Sequence, residues 1–351
     1  MIPLDPRRLS SATLPLATSW LLAACMEARG KQELWIRQRP EVLAALRQQA
    51  VIESVESSNR IEGVTVPRNR LRKVVLGKSR PRDRSEEELA GYRRALNWIF
   101  SRKGTVKITP EVIRKLHNLA QAPSGDAGEF KRRDNEIIEM LPNGERQVRF
   151  VPTTAKATPR AIETLCRNYD TACRDEHVPP LLTTATFVFD FLAIHPFRDG
   201  NGRVSRLLTT LLLQSHDFQV AKYVSLERLV EESKEDYYRI LKECSREWHE
   251  GRNEILPWWN YWLSIVRQGY KEFEKQVESA SSGPAKGNLV KRMILDQAGE
   301  FSLGEVSAQL PGVSRQLVKK VLSELQRNGR VRLTGRGRGA RWILGDSEIL
   351  D

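Results

Sequence analysis

The amino-acid sequence predicts a mainly α-helical fold, and three observations carry that expectation. Apolar residues recur at three- and four-residue steps along most of the chain, as in Leu43, Leu46, Val51, Ile52 and Val55. Helix starts are marked by their caps and first turns, as in Thr109-Pro110-Glu111 and Ser85-Glu86-Glu87-Glu88. Strand patterning is confined to two short stretches, one near residue 140 and one near the C-terminus.

Taken in order, residues 1–100 read as an N-terminal helical region. Arg7-Arg8 followed by a semi-apolar run to Cys25 imitates a lipoprotein leader. Pro15, Thr18, Ser19 and Trp20 dilute that run, and helical pattern continues beyond it through Met26, Leu34 and Trp35, so a buried helix is expected. Pro67 and the arginines and lysines from Arg68 to Arg84 interrupt the pattern and read as a solvated, mobile connection. Residues 101–277 form the expected central unit. Within it, Ile137 to Val151 reads as a β-hairpin turning at Asn143-Gly144, and Thr183 to Ile194 as an apolar helix. Trp258, Trp259 and Trp262 fall on one helix and are expected in the core. Residues 278–288, rich in Ser, Gly and Ala, read as a linker. Residues 289–351 then give three short helices and two strands, the order of a winged helix-turn-helix.

The 351 residues carry 57 Lys and Arg against 44 Asp and Glu, a net charge of +13. A surplus of this size favours anionic partners. Cys25, Cys166, Cys173 and Cys244 form no CxxC pair, which argues against structural zinc and a disulfide scaffold and for a reduced, cytoplasmic protein. No run of ~18 apolar residues occurs, so no membrane span is expected.

The densest chemical signal is His195-Pro196-Phe197-Arg198-Asp199-Gly200-Asn201-Gly202-Arg203-Val204-Ser205-Arg206. Pro196 disfavours helix at His195, so the imidazole is presented where the apolar helix ends. Gly200 and Gly202 let backbone N–H groups approach an anion at the start of the next helix. Arg203 and Arg206, three apart, are expected to point at one phosphate chain. Asp199 is a hard oxygen ligand suited to Mg²⁺, and His195 is a candidate general base.

At these residues the sequence resembles the Fic family, whose signature HPFx[D/E]GNGRxxR is matched at every fixed position. The resemblance extends over about residues 40 to 270 and implies a Fic-type helical core with a β-hairpin flap. It implies a protein adenylyltransferase moving AMP from ATP, with Mg²⁺, to Ser, Thr or Tyr hydroxyls of target proteins. By resemblance, His195 activates the hydroxyl, Asp199 holds the metal, Gly200, Asn201, Gly202 and Arg203 cradle the phosphates, and Arg206 meets the γ-phosphate. The flap, 137–151, would align the target segment by strand addition. Tyr237 and Tyr238 fall where relatives line the adenine pocket. Ser245 falls where some relatives carry an asparagine.

Ser58-Asn59-Arg60-Ile61-Glu62-Gly63 resembles the family's inhibitory motif, on a helix spanning about 50–63. Glu62 would then form a bidentate pair with Arg206 and block the γ-phosphate position. Between Arg315 and Arg341 nine basic residues face only Glu324, and Gly335-Arg336-Gly337-Arg338-Gly339 reads as a basic hairpin tip. Contact with duplex DNA through 315–341 is expected. A homodimer stays open. So do use of another phosphate donor, removal of AMP with Glu62 orienting water, and a nucleotide-sensing DNA-binding regulator.

Overall fold

The computed structural model describes all residues except 1–3, 39, 103, 122–124, 141–143, 280–282, 296, 298, 311–312, 336–339 and 346–351. Helices dominate. The N-terminal helices are α1 (Pro6–Ser10), α2 (Leu16–Gln38), α3 (Pro40–Ile61), α4 (Arg68–Val75) and α5 (Arg84–Phe100). The central unit continues with α6 (Pro110–Gln121), strands β1 (Ile137–Met140) and β2 (Arg146–Phe150), then α7 (Thr158–Ala172), α8 (Pro180–Ile194) and α9 (Asn201–Ser215). It closes with α10 (Leu226–Glu232), α11 (Lys234–Cys244) and α12 (Leu256–Ser279). The C-terminal section holds α13 (Gly283–Leu295), α14 (Leu303–Gln309), α15 (Arg315–Arg327), β3 (Val331–Thr334) and β4 (Arg341–Leu344).

Helix α8 is the axis of the main core. Every residue from Leu181 to Ile194 is buried, as a mostly apolar helix surrounded on each side must be. It packs against α7, α9 and α12. Trp258 and Trp259 of α12 fix the packing by donating to Ala185 O at 2.7 Å and Thr186 Oγ1 at 2.9 Å, so both indole N–H groups are satisfied in the core. A second apolar cluster gathers Val290, Ile294, Val306, Val318, Leu322 and Val331 of the C-terminal section. Ala45 of α3 belongs to it, and Arg72 Nη1 donates to Leu295 O at 2.6 Å, so the C-terminal section sits on α3 and α4.

Three expectations change. The Arg68–Arg84 stretch is not a solvated connection throughout. It contains α4, whose Leu71, Val74 and Val75 are buried against α5 and α3. Its apolar residues lie three and four apart, a helical stripe that the density of arginines hides. Helix α5 is capped by Asp83 rather than Ser85, because Asp83 has extended backbone and its Oδ1 accepts from Glu86 N at 2.9 Å. Helix also occupies most of the expected linker. Helix α12 runs to Ser279 and α13 begins at Gly283, with Pro284 in its first turn, where proline is tolerated. Residues 142–143 of the expected turn and 336–339 of the basic tip lie outside the described residues.

Candidate active site

The site is built on the corner between α8 and α9. His195 ends α8 in the left-handed region, φ 51° and ψ 60°, with its N–H donating to Phe191 O at 3.0 Å. A non-glycine residue is uncommon there, and the neighbours hold it in place. Asn201 closes the loop: its Oδ1 accepts from Phe197 N at 2.9 Å and its Nδ2 donates to Phe197 O at 2.8 Å. Phe197 itself is fully buried and stacks on His117 at 3.8 Å between ring centres. Gly200 adopts φ 78° at the turn into α9. The N–H groups of Asn201, Gly202 and Arg203 lie in the first turn of α9, where a helix supplies no acceptors of its own.

His195 Nδ1 lies 3.3 Å from Leu192 O, so Nδ1 carries the proton and Nε2 keeps a lone pair. Burial pulls the imidazole down to about 4, and the cations Lys131 and Arg149 act in the same direction. At neutral pH the ring is therefore an uncharged acceptor.

Two side chains missed by sequence reasoning fix this corner. Lys131 is 5% exposed. Its N–H donates to Pro196 O at 2.9 Å and its Nζ to Ile194 O at 3.2 Å, so it clamps the peptide groups on both sides of His195. Nζ also donates to Asn135 Oδ1 at 2.8 Å, and Asn135 Nδ2 donates to Phe197 O at 3.2 Å. His117 accepts from Gly128 N at Nδ1, 2.8 Å, which leaves Nε2–H for Asp199 O at 3.1 Å. Burial draws the His117 imidazole down to about 4. Neither residue belongs to a motif, and only their partners give them a role.

The two motif arginines part company. Arg206 has 7% of its side chain exposed. Its Nε donates to Ser58 Oγ at 2.8 Å, and its Nη2 donates to Ser58 O at 2.9 Å and to Glu62 Oε1 at 2.8 Å. The contact with Glu62 is thus single rather than bidentate, because Ser58 takes the other edge of the guanidinium. Arg203, 2% exposed, instead donates from Nη1 to Glu88 Oε2 at 2.6 Å. Glu88 also accepts from Arg84 Nε at 2.9 Å. In this structure Arg206 is engaged from the end of α3 and Arg203 from α5. The second partner, Glu88, was visible in sequence only as part of an acidic first turn.

Glu62 follows the end of α3 and sits directly on the start of α9. A Cβ added to Gly202 would collide with Glu62 Oε1. Glycine is needed at 202 for the carboxylate to come so close, and the carboxylate stands where a helix N-terminus attracts an anion. Asp199 is 62% exposed at the side chain. Its Oδ1 accepts from Gly200 N at 2.6 Å, and its Oδ2 lies 3.8 Å from both Arg84 and Arg203.

A cavity of about 400 Å³ opens beside these groups. Glu62, Arg149, His195, Gly202, Arg206 and Tyr238 line it. Tyr237 also reaches it, but its ring is buried between Trp258 and Tyr261. Ser245 lies on the wall, with its Oγ turned back to Leu241 O at 2.6 Å. Asp199, Gly200, Asn201 and Arg203 lie outside that wall. Strands β1 and β2 form the hairpin expected over the site, and it is tied down at one side. Lys242 Nζ meets Glu139 Oε2 at 2.7 Å, and Phe150 stacks on His249.

Residues 107–213 match the Fic/DOC family. This stretch carries a Fic/DOC domain. Its signature is the α8–α9 corner, and the matched stretch takes in α6, the hairpin, α7, α8 and most of α9. Protein adenylyltransferase Fic of Drosophila erecta is 24% identical over 228 residues, 60% of this chain and 43% of that protein. A Fido domain-containing protein of Dictyostelium discoideum is 32% identical over 74 residues, 21% of this chain and 48% of that protein. The chain therefore spans less than half the length of these relatives. Among solved structures, a Fic family protein from Desulfovibrio desulfuricans G20 superposes with a TM-score of 0.60 at 20% identity, covering 97% of this chain and 99% of that one. A Fic domain-containing signaling protein from Bacteroides thetaiotaomicron gives 0.58 at 22% identity, covering 73% and 97%. At these identities the likeness establishes the shared fold.

Removing the carboxylate at Glu88 strands the buried charge of Arg203. Glu88→Ala should lose about 3–5 kcal/mol of stability, and Glu88→Ala with Arg203→Met should recover much of it. Urea unfolding of the three chains checks this, and an additive double variant would mean that the pair does not couple.

Proposed function

We propose that this chain is a protein adenylyltransferase, moving AMP from ATP to a hydroxyl of a target protein and held back by Glu62. The observation that carries this reading is one cavity shared by a neutral His195, the start of α9, and an Arg206 already engaged by a carboxylate. The relatives named protein adenylyltransferase support the same class of chemistry.

In this reading the target hydroxyl oxygen attacks the α-phosphorus of ATP. His195 Nε2 takes the hydroxyl proton. The bond from the α-phosphorus to the bridging oxygen breaks, and diphosphate leaves. The chain's work is positioning and charge stabilisation. The first N–H groups of α9 face the phosphates, and Arg206 binds the γ-phosphate once Glu62 lets go. Arg203 contributes through its N–H and holds the corner through Glu88. Tyr238 walls the nucleotide side. The hairpin lies ready to align the target, with Ile138 and Val148 exposed on it.

Asp199 suits Mg²⁺. It is an exposed hard oxygen beside the start of α9, and no cluster of three His, Cys, Asp or Glu occurs among the described residues. A single carboxylate with substrate phosphates is a common way to hold this ion. When bound, the ion would neutralise phosphate charge. No helix among the described residues is long and apolar enough to cross a membrane.

We read the C-terminal section as a winged helix-turn-helix that contacts duplex DNA. On α15, Val318, Val321, Leu322 and Leu325 are buried, while Arg315, Lys319 and Lys320 are exposed on the opposite side, with Arg330 and Arg332 nearby in sequence. Helices α13 and α14 make the contact with α3, which leaves that basic face outward.

Three tests follow. Glu62→Gly should raise self-labelling with labelled ATP by about 10–100-fold, since a charge-assisted contact of ~1.5–3 kcal/mol is relieved, and Arg206→Ala should abolish the gain. Intact mass reads the donor and reaction at once: one AMP per site supports transfer, and ATP binding without added mass identifies a sensor instead.

His195→Ala should lower transfer by about 10²–10⁴-fold. In the Glu62→Gly background the rate should stay flat as pH falls through 6.5 and drop only on approach to about 4, because protonation of His195, which removes the base, is delayed to that value by its burial. A midpoint near 6.5 would contradict the buried, neutral base.

Lys319→Glu with Lys320→Glu in the full chain should weaken duplex binding at low salt and flatten its salt dependence. Fluorescence anisotropy with a labelled duplex measures both, and unchanged binding would point to protein contacts on this face.

A further inference from the structure

The cations around the cavity are mostly spoken for. Arg206 is held by Ser58 and Glu62, Arg203 by Glu88, and the Lys131 ammonium by Ile194 O and Asn135. Arg149 differs. It sits on β2, is half-buried, and lines the same cavity as His195 and Arg206. Among the described contacts it has no carboxylate partner. Glu139, whose carboxylate feels its charge, is taken by Lys242 at 2.7 Å. What Arg149 does have is the face of Tyr238, with its guanidinium carbon 5.4 Å from the ring centre.

The hairpin register gives a second, independent observation. Ile137 pairs with Phe150 and Ile138 with Val148, so the ladder skips Arg149. An extra residue in one strand is a bulge, and bulges re-aim a side chain, often beside an active site. The bulge falls on the one cation of the hairpin that faces the cavity. A half-desolvated guanidinium supported only by an aromatic face gains most from an anion.

We propose that Arg149 is a second phosphate-binding cation of this cavity, reaching from the hairpin to the phosphate chain of a bound nucleotide. This rests on reading the cavity as a nucleotide site. It assigns phosphate capture to a residue that Glu62 does not occupy, so a triphosphate has a docking charge while Arg206 is still engaged. The position also suits the base: the Arg149 charge adds to burial in opposing protonation of His195.

Equilibrium binding of ATP to the full chain tests it, by calorimetry at low and at high salt, for wild type, Arg149→Gln and Arg149→Lys. At low salt Arg149→Gln should weaken ATP binding by about 10–100-fold, with Arg149→Lys intermediate because a point charge replaces a fork. At high salt the Arg149→Gln chain and the wild type should converge, since a partly exposed charge contact is screened. Equal affinity of Arg149→Gln and wild type at low salt would overturn the assignment. A loss of the same size at both salt concentrations would overturn it too, by making Arg149 a packing residue. Absence of ATP binding by the wild type would remove the nucleotide reading and this inference with it, which separates the two failures.

Discussion

The guanidinium of Arg206 has to be neutralised inside the protein, and much of this structure follows from how that is done. Burial alone would make the charge costly, and Glu62 offsets it, with the result that the group is held more firmly protonated than an ordinary arginine. Ser58 supplies two further acceptors. Helix α3 is placed accordingly: its polar side, Ser54, Ser58 and Asn59, is buried against the core, where a helix of this composition would otherwise face water. Ser54 in turn donates to Glu227, which also accepts from Tyr92, so the polar side of α3 is anchored at two points along its length.

A division of labour runs through the site. The α8–α9 corner is braced by contacts to several of its peptide groups: the Asn201 side chain for Phe197, the Lys131 Nζ for Ile194 O and its backbone N–H for Pro196 O, and the His117 ring for Asp199 O. Among the described contacts the hairpin is held by Lys242, by the Tyr238 ring under Arg149, and by rings around Phe150. On the proposed reading, the fixed corner bearing His195 carries the chemistry and the strand pair facing it the recognition, on different elements.

Much of this was legible in the sequence because it was local. Pro196 stops α8 at His195, Gly200 turns the chain, and the apolar run of α8 announces its own burial. The hairpin was legible for the same reason, through alternation on either side of Asn143-Gly144. What the sequence hid was long-range pairing. Arg203 and Arg206 are three apart on a helix, and spacing alone put them on one face. Which of them meets the cavity depends on Glu88 and Glu62, carboxylates 115 and 144 residues away. Lys131 and His117 were invisible for the same reason, since a lone cation or imidazole has no pattern. Helix α4 was masked by its own charges: the arginines that made it look solvated leave Leu71, Val74 and Val75 free to form the buried stripe.

The anchoring of α3 also bears on how Glu62 could yield to a phosphate. Moving α3 bodily would break Ser54 from Glu227, expose the guanidinium of Arg206, and pull Ala45 out of the C-terminal cluster, each a buried interaction. Rotating the Glu62 side chain breaks one hydrogen bond to Arg206. Glu62 lies just beyond the last residue of α3, next to Gly63 at φ 82°, and its side chain is 30% exposed. The local route leaves Ser58 on Arg206 and the core intact, and it is the cheaper by several buried contacts. On the proposed reading, then, inhibition is a contest between two anions for one edge of a guanidinium. The helix that delivers the first anion stays where it is when the second arrives.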